Sequence, residues 1–458
     1  MENTVKYFTL KLAAAATLSA ALSSAAVAGG FMLTEQSVTG LGRAYAGAGI
    51  VGDDLSAVWY NPAGMSLLSG TAVQMGAVVV DLDLPVTTES GEKENGRKHG
   101  VPVPNMYLVH QIKDDMWFGF GITVPYGMAT EYNPDWKLSD KGMNAEVKTF
   151  DFNPNIAVKL TDTLSFGAGV SLQYVTAQFE STKTTDAGQM RVRLNADGWA
   201  WGGNLGFMWQ PTETVRVGLA YRSQVNHKAD GYLKTSLKST LGSAYYMSND
   251  GHAEMSGPHT ITLTGTWKAT EALRLSGLVR WANWASFDKL PISGGSLRSA
   301  TTVAAQAQAM AYIREHPTQF HTEADQQEFV AMQVAKNATN KTSPEYHWKD
   351  SWLFTVGADY DINQQVTVRG GVGYEISPVD DDKYRSATIP DTDRLWLSIG
   401  ATWHVNKQLQ GDFGLAYLRG IGNRDLYNEN SDGTFTKAGK FDRLDAIMWG
   451  AQFVYKFD

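Results

Sequence analysis

The side chains best placed to do chemistry are four arginines, Arg216 and Arg222, then Arg274 and Arg280. The first pair alternates with Val217, Leu219 and Tyr221 and the second with Leu273, Leu275 and Val279, so in extended chain both pairs stand on the polar side of a two-faced strand. An arginine presents a planar fork that grips both oxygens of a carboxylate. Arg222 and Arg280 lie nearest the outer end of their strands and are the preferred anchors, with Lys148 as a third candidate. The competing expectation is a structural ladder, in which these cations pair with carboxylates such as Glu35, Asp53 and Asp54 because buried charges must be paired. Covalent and metal chemistry find no support. The chain has no cysteine, and none of its nine histidines falls in a Gly-x-Ser-x-Gly or His-Glu-x-x-His setting, so neither catalysis nor a cofactor nor a metal is expected.

The elements that would position these residues are strands. Leu164, Phe166, Ala168, Val170, Leu172 and Tyr174 alternate with small or polar residues, and so do Leu395, Leu397, Ile399, Ala401, Trp403 and Val405. Strands are expected near 71–84, 103–112, 116–126, 145–160, 164–180, 190–209, 214–229, 257–268, 272–288, 346–360, 365–377, 393–405, 409–421 and 443–457. Short turns such as Lys113-Asp114-Asp115, Gln210-Pro211-Thr212 and Asn406-Lys407 alternate with longer polar segments at Pro85 to Pro102, Gly127 to Asn144, Asp230 to Ser256 and Leu290 to Glu345. Short periplasmic and long extracellular connections are the rhythm of a transmembrane antiparallel β-barrel, here of about fourteen strands. Within the longest connection, helices are expected near Thr302 to Glu315 and Thr322 to Ala335.

Composition and the chain ends fit that class. Charged residues are only 19% of the 458 while glycine numbers 45 and tryptophan 14, which favours many short strands over a soluble enzyme. A net charge of -8 leaves no basic face for nucleic acid. Lys6 and Lys11 precede an apolar run that ends in Ala26-Val27-Ala28, which predicts a secretory signal peptide over 1–28 and a Gram-negative outer-membrane destination for the rest. Trp117, Tyr126, Trp209, Trp281, Trp284, Trp352 and Trp449 are expected in aromatic girdles, and the alternating terminus Trp449, Ala451, Phe453, Tyr455, Phe457 suits the barrel-assembly machinery.

Residues 29–70 read as no strand, and they hold the most specific motifs: Gly30-Phe31, Gly40-Leu41-Gly42-Arg43-Ala44-Tyr45-Ala46-Gly47, Asp53-Asp54 and Asn61-Pro62-Ala63-Gly64-Met65. This segment resembles the plug of the FadL family of outer-membrane fatty-acid and aromatic-hydrocarbon transporters. Tyr126-Gly127-Met128-Ala129-Thr130-Glu131-Tyr132, Trp284-Ala285-Ser286-Phe287-Asp288 and Ile389 to Ser398 also look like family segments in the right order.

The resemblance implies a fourteen-stranded barrel at 71–458 with an N-terminal hatch at 29–70, an extracellular insertion at 290–345, and a kinked third strand that opens the wall sideways. It implies passive uptake of hydrophobic small molecules, long-chain fatty acids first, with aromatic hydrocarbons or alkanes as the alternative. A plugged porin or adhesin is a weaker one. Gating then falls to Phe31, Asn61, Pro62 and Ala63, with the Asn61–Pro62 turn beside the wall gap and the kink at Gly121. The expected surroundings are outer-membrane lipid and lipopolysaccharide, around a monomer, since closure removes the sheet edges that would demand a partner.

Overall fold

The computed structural model describes residues 29–96, 100–185, 188–239, 242–430 and 433–457, and the signal peptide expected over 1–28 lies outside them. A strand with one apolar face can bury that face in hydrocarbon only if its backbone groups are bonded without water, and a closed antiparallel sheet meets both needs. The strands that form it are β1 Thr71–Asp83, β2 Val101–Lys113, β3 Met116–Thr123, β4 Asn144–Lys159, β5 Leu164–Thr185, β6 Gly188–Trp209 and β7 Val215–Arg222. The ring continues through β8 Thr260–Lys268, β9 Leu273–Ala282, β10 Ser351–Asp361, β11 Val366–Ile376, β12 Arg394–His404, β13 Leu409–Gly420 and β14 Asp445–Lys456. Each pairs antiparallel with the next, and β1 closes on β14 from Ala72 opposite Lys456 to Asp83 opposite Asp445. The expected all-β barrel of fourteen strands is the fold.

Alternation sorts the two faces. On β6, Trp199, Trp201, Leu205, Phe207 and Trp209 are exposed on the outer wall, while Asn204 and Met208 are buried inside; on β12, Leu395, Leu397, Ile399 and Trp403 face out and Arg394, Trp396, Ser398 and Thr402 face in. Of the expected girdle, Trp209, Trp352 and Trp449 are exposed outward and Trp281 is half-buried. Trp117, Tyr126 and Trp284 are buried instead, because Trp117 shares the inward parity of Gly119 and Gly121 and the other two stand beyond the regular pairing of β3 and β9.

Two expected loops carry regular structure. The segment Asp230 to Ser256 is mostly a hairpin, Asn226–Ser239 paired with Gly242–Ser256, and its first arm extends the sheet along β6 from Asp230 opposite Asp197 to Ser239 opposite Gly188. The insertion at 290–345 holds two helices, Gly295–Glu315 and Glu323–Asn337. The first starts earlier than expected and buries Leu297, Ala300 and Ala305; the second buries nothing and is fixed by reciprocal hydrogen bonds between Thr322 and Asp325 at its start.

Residues 29–68 lie inside the ring. Two short helices, Val38–Leu41 and Ala57–Tyr60, and a 3-10 turn, Pro62–Leu67, bury Val38, Leu41, Val58 and Met65 completely. The strands make room with inward glycines: a Cβ at Gly371 would stand 2.3 Å from the Arg43 backbone, and one at Gly206 2.0 Å from Asn61 Oδ1.

The outward parity of Ile399 is tested by Ile399→Arg. A cation facing lipid near the bilayer midplane costs about 2–4 kcal/mol. Reversible guanidinium unfolding in lipid vesicles should show that loss, and unchanged stability would contradict the assignment of faces.

Candidate functional site

The hydrogen-bonded wall is interrupted at one point of β3. Pairing to β4 runs to Thr123 opposite Asp151 and resumes with Gly127 opposite Lys148, leaving one residue in excess on the β3 side. Pro125 sits in that interval and offers no N–H. On the other flank, pairing between β2 and β3 ends at Met106 opposite Ile122, so Val101 to Asn105 pair with β1 alone.

The N-terminal segment supplies the missing partners. The Gln36 carboxamide accepts from Val124 N (3.3 Å) and donates to Val124 O (2.6 Å), Leu33 N donates to Pro125 O (2.8 Å), and Gly127 N donates to Phe31 O (3.0 Å). Met32 and Tyr126 form an antiparallel bridge between these contacts. The break therefore lies at Val124–Tyr126 and not at Gly121, which pairs regularly with Tyr107 and Asn153. Gly121 and Gly119 have another use: a Cβ at Gly119 would stand 2.3 Å from Met65 Sδ, so these glycines let the luminal segment approach the wall.

Four distant stretches converge on the start of the segment. Phe31 packs edge-on against Tyr126, Trp284 and Phe287, at centroid distances of 5.9, 4.7 and 5.2 Å, with Trp348 at 6.1 Å. Gly30 N donates to Asp391 Oδ2 (2.8 Å), and Asp391 is itself paired with Arg394.

Both preferred arginines face this region, on the two flanks of β8: Arg222 opposite Thr260 and Arg280 opposite Thr262. Arg222 pairs with buried Asp151 (3.0 Å), donates to Trp59 O (3.0 Å) and lies 3.4 Å over the Trp59 ring. Arg280 donates to Thr34 Oγ1 (2.9 Å) and stands 3.8 Å from Glu375. Met32, Trp59, Pro125, Tyr126, Arg222 and Val225 border a cavity of about 20 Å³, room for a water molecule and far too little for an acyl chain. Lys148 does not join them. It stands on the face opposite Asp151 and pairs with Glu146.

The expected ladder from strand arginines to Glu35, Asp53 and Asp54 is also redrawn. Asp53 pairs with Arg43 of its own segment, and Arg43 reaches Asp359 (3.2 Å) on β10. Asp54 accepts from the hydroxyls of Ser37 and Ser56. Glu35 Oε2 has no hydrogen-bond partner among the described residues. Burial chiefly, with neighbouring Glu375, pushes Glu35 up to about 7; burial and adjacent Asp53 push Asp54 up to about 6. Burial alone would raise Asp53 too, but Arg43 holds it well below the usual carboxylate range.

Asn61 and Pro62 sit away from the interruption. Asn61 accepts from Ala63 N (3.1 Å) and donates to Phe207 O (3.0 Å) near the periplasmic end of β6, in a recess formed by Gly167, Gly206 and Gly218. Ala63 packs there with Ile50 and Met208. The turn is a fastening of the segment to β5–β7, and the inward glycines are the sequence signal for it.

Among known proteins, a family model described as outer membrane protein transport protein (OMPP1/FadL/TodX) matches residues 19–457. The long-chain fatty acid transport protein of Escherichia coli O6:H1 is 28% identical, with 96% of each chain covered, and outer membrane protein P1 of Haemophilus influenzae is 28% identical, with 91% of each covered. A Pseudomonas aeruginosa FadL homologue superimposes with a TM-score of 0.75 at 20% identity, over 94% of this chain and 100% of that one. The toluene transporter TodX of P. putida follows with a TM-score of 0.67 at 17% identity, over 88% and 94%.

Gln36→Ala would leave both Val124 backbone groups unbonded, a loss of about 1–3 kcal/mol for each buried group. Hydrogen exchange at the amides of Leu33 and Gly127 should accelerate while the amides of β12 stay protected, and uniform exchange would contradict the role given to Gln36. A second outcome concerns pH. Glu35 binds its proton more tightly folded (about 7) than at its ordinary 4.5, so the stability its protonated form confers is complete below pH 4.5 and lost as pH rises through 7. Thermal unfolding should show a midpoint that falls across that window in the native chain and falls less in Glu35→Gln; equal slopes would refute it.

Proposed function

The chain belongs to the OMPP1/FadL/TodX family and is an outer-membrane transporter of hydrophobic compounds, and from that premise we propose that it takes up long-chain fatty acids and releases them sideways at Val124–Tyr126. The observation that carries this reading is the interruption of β3 beside Arg222. A break in the ladder is the one place where a hydrocarbon chain can leave the lumen for the membrane without passing through water, and each methylene kept out of water is worth about 0.8 kcal/mol. An aqueous exit would forfeit that energy.

In this reading residues 29–70 are the hatch, with 1–28 a cleaved signal peptide. The strip from Phe31 to Gln36 is the gate: its withdrawal frees the backbone of Val124 and Pro125 and uncovers the 20 Å³ cavity. Arg222 meets the substrate carboxylate, exchanging the Trp59 carbonyl for it while Asp151 keeps the guanidinium in place. Arg280 loses its Thr34 partner in the same movement and becomes a second donor. Outside, the exposed Met310, Tyr312 and Met332 of the helical insertion form a capture surface. A fixed cation at the exit favours an acid over a neutral hydrocarbon. Two of the relatives, at 28% identity over 96% of each chain, carry the name long-chain fatty acid transport protein.

The test is uptake of radiolabelled oleate by cells that lack their own transporter. The native chain should support it. Arg222→Gln should weaken saturable uptake about tenfold or more, since a hydrogen bond to a charged group is worth about 1.5–3 kcal/mol. Surface-assembled native protein that takes up toluene and no oleate would overturn the fatty-acid assignment.

A further inference from the structure

Seven strands round the ring from the interruption, the outer wall between β7 and β13 carries a groove of about 930 Å³. Strand register makes its upper edge a single row: Leu263 pairs with Val279, Val279 with Phe354, then follow Tyr374, Leu395 and Arg419. Counted from the periplasmic ends of β8 to β13, these residues stand five, six, seven, eight, nine and ten positions along their strands. The row therefore climbs obliquely from the bilayer interior at Leu263 to the extracellular margin at Arg419. Five interstrand spacings of about 4.8 Å make it about 24 Å long.

Beneath the row, two residues toward the periplasm on the same face, Gly265 pairs with Gly277. A Cβ at Gly265 would meet open space and one at Gly277 only the Thr355 carbonyl oxygen, 3.6 Å away, so the two glycines are the open floor of the groove. The row is apolar or aromatic up to its one charged member. Arg419 is exposed and forms no ion pair among the described residues. The two carboxylates at the same margin are engaged: Asp393 accepts from Tyr374 Oη and Ser377 N, and Asp445 accepts from Tyr417 Oη and Gly420 N.

We infer that this groove binds one phosphate-bearing lipid of the outer leaflet, with its phosphate on Arg419 and one acyl chain lying along the row to the glycine floor. An acyl chain already in the membrane gains nothing from leaving water, so shape and charge must distinguish this place from the rest of the wall. A concave floor adds dispersion contacts that a convex barrel surface lacks. A guanidinium at the level of the headgroups supplies a planar fork for phosphate oxygens. The direction of the row matches a lipid's own polarity, charged end outward and hydrocarbon end inward.

Native mass spectrometry of the purified protein with added lipid A reads the inference directly. The native chain should retain one lipid A per barrel, and a dephosphorylated lipid A should be retained at least tenfold less. Arg419→Gln and the double variant Gly265→Leu/Gly277→Leu should each lower retention about tenfold; both leave the backbone pairing intact. Equal retention by all three proteins overturns the inference. Displacement of the lipid by oleate would assign the groove to the transported substrate, and a two-chain mass lost in the double variant would assign it to a second copy; either result also overturns it. Oleate uptake by both variants stays at the native level, so failure here is separable from failure of the transport reading.

Discussion

A backbone that crosses hydrocarbon must bond every N–H and C=O within the protein, and the architecture follows from how that demand is met. Most strands meet it chiefly along the ladder with their neighbours. β3 does not, because Pro125 and the extra residue before Gly127 break its register. The backbone left over at Val124 and Pro125 is bonded by Gln36 and Leu33, residues distant in sequence that occupy the place of a strand. The wall is thus complete only while the N-terminal segment is seated.

What seats the segment is a set of fastenings of different strength. At the periplasmic side, Arg43 links Asp53 to Asp359, Arg369 bridges Asp359 and Asp412, and Gln452 holds both Thr39 and Asp412. Removing one member of such a buried network strands a charge at a cost of about 3–5 kcal/mol, which makes this half the anchor. The strip from Phe31 to Gln36 is held otherwise, by backbone and carboxamide bonds, by aromatic edges, and beside a buried carboxylate, Glu35, that lacks a full set of partners. The part that covers the break is therefore held without a buried ion-pair network of its own.

The barrel was legible because period-two alternation is imposed by the bilayer itself, and the outward residues of β5 from Leu164 to Tyr174 and of β12 from Leu395 to Trp403 are all apolar. Less legible were contacts between residues far apart in sequence. Arg222 could be assigned to the luminal face by parity, but its partner Asp151 lies on a strand whose pairing with β7 is not direct, and Trp59 stacks on it from the segment. Gln36 carries no local signature at all, since its task is defined by a gap nearly ninety residues away. Trp117 and Trp284 were misassigned to the membrane surface because tryptophan near a turn fits both a girdle and a lumen, and only register separates them. The extracellular hairpin was read as a loop over 230–256 because the apolar residues of its buried face, Leu233, Leu237, Ala253 and Met255, are few and stand among polar and charged neighbours.

The central claim is that the strip must leave the interruption for substrate to pass. The chain has no native cysteine, so a Met32→Cys/Tyr126→Cys pair across the antiparallel bridge gives a tether with no competing thiol. Oleate uptake should be lost when the pair is oxidised and restored by reductant, with each single cysteine variant insensitive to both. Undiminished uptake through the fully oxidised protein would contradict the account.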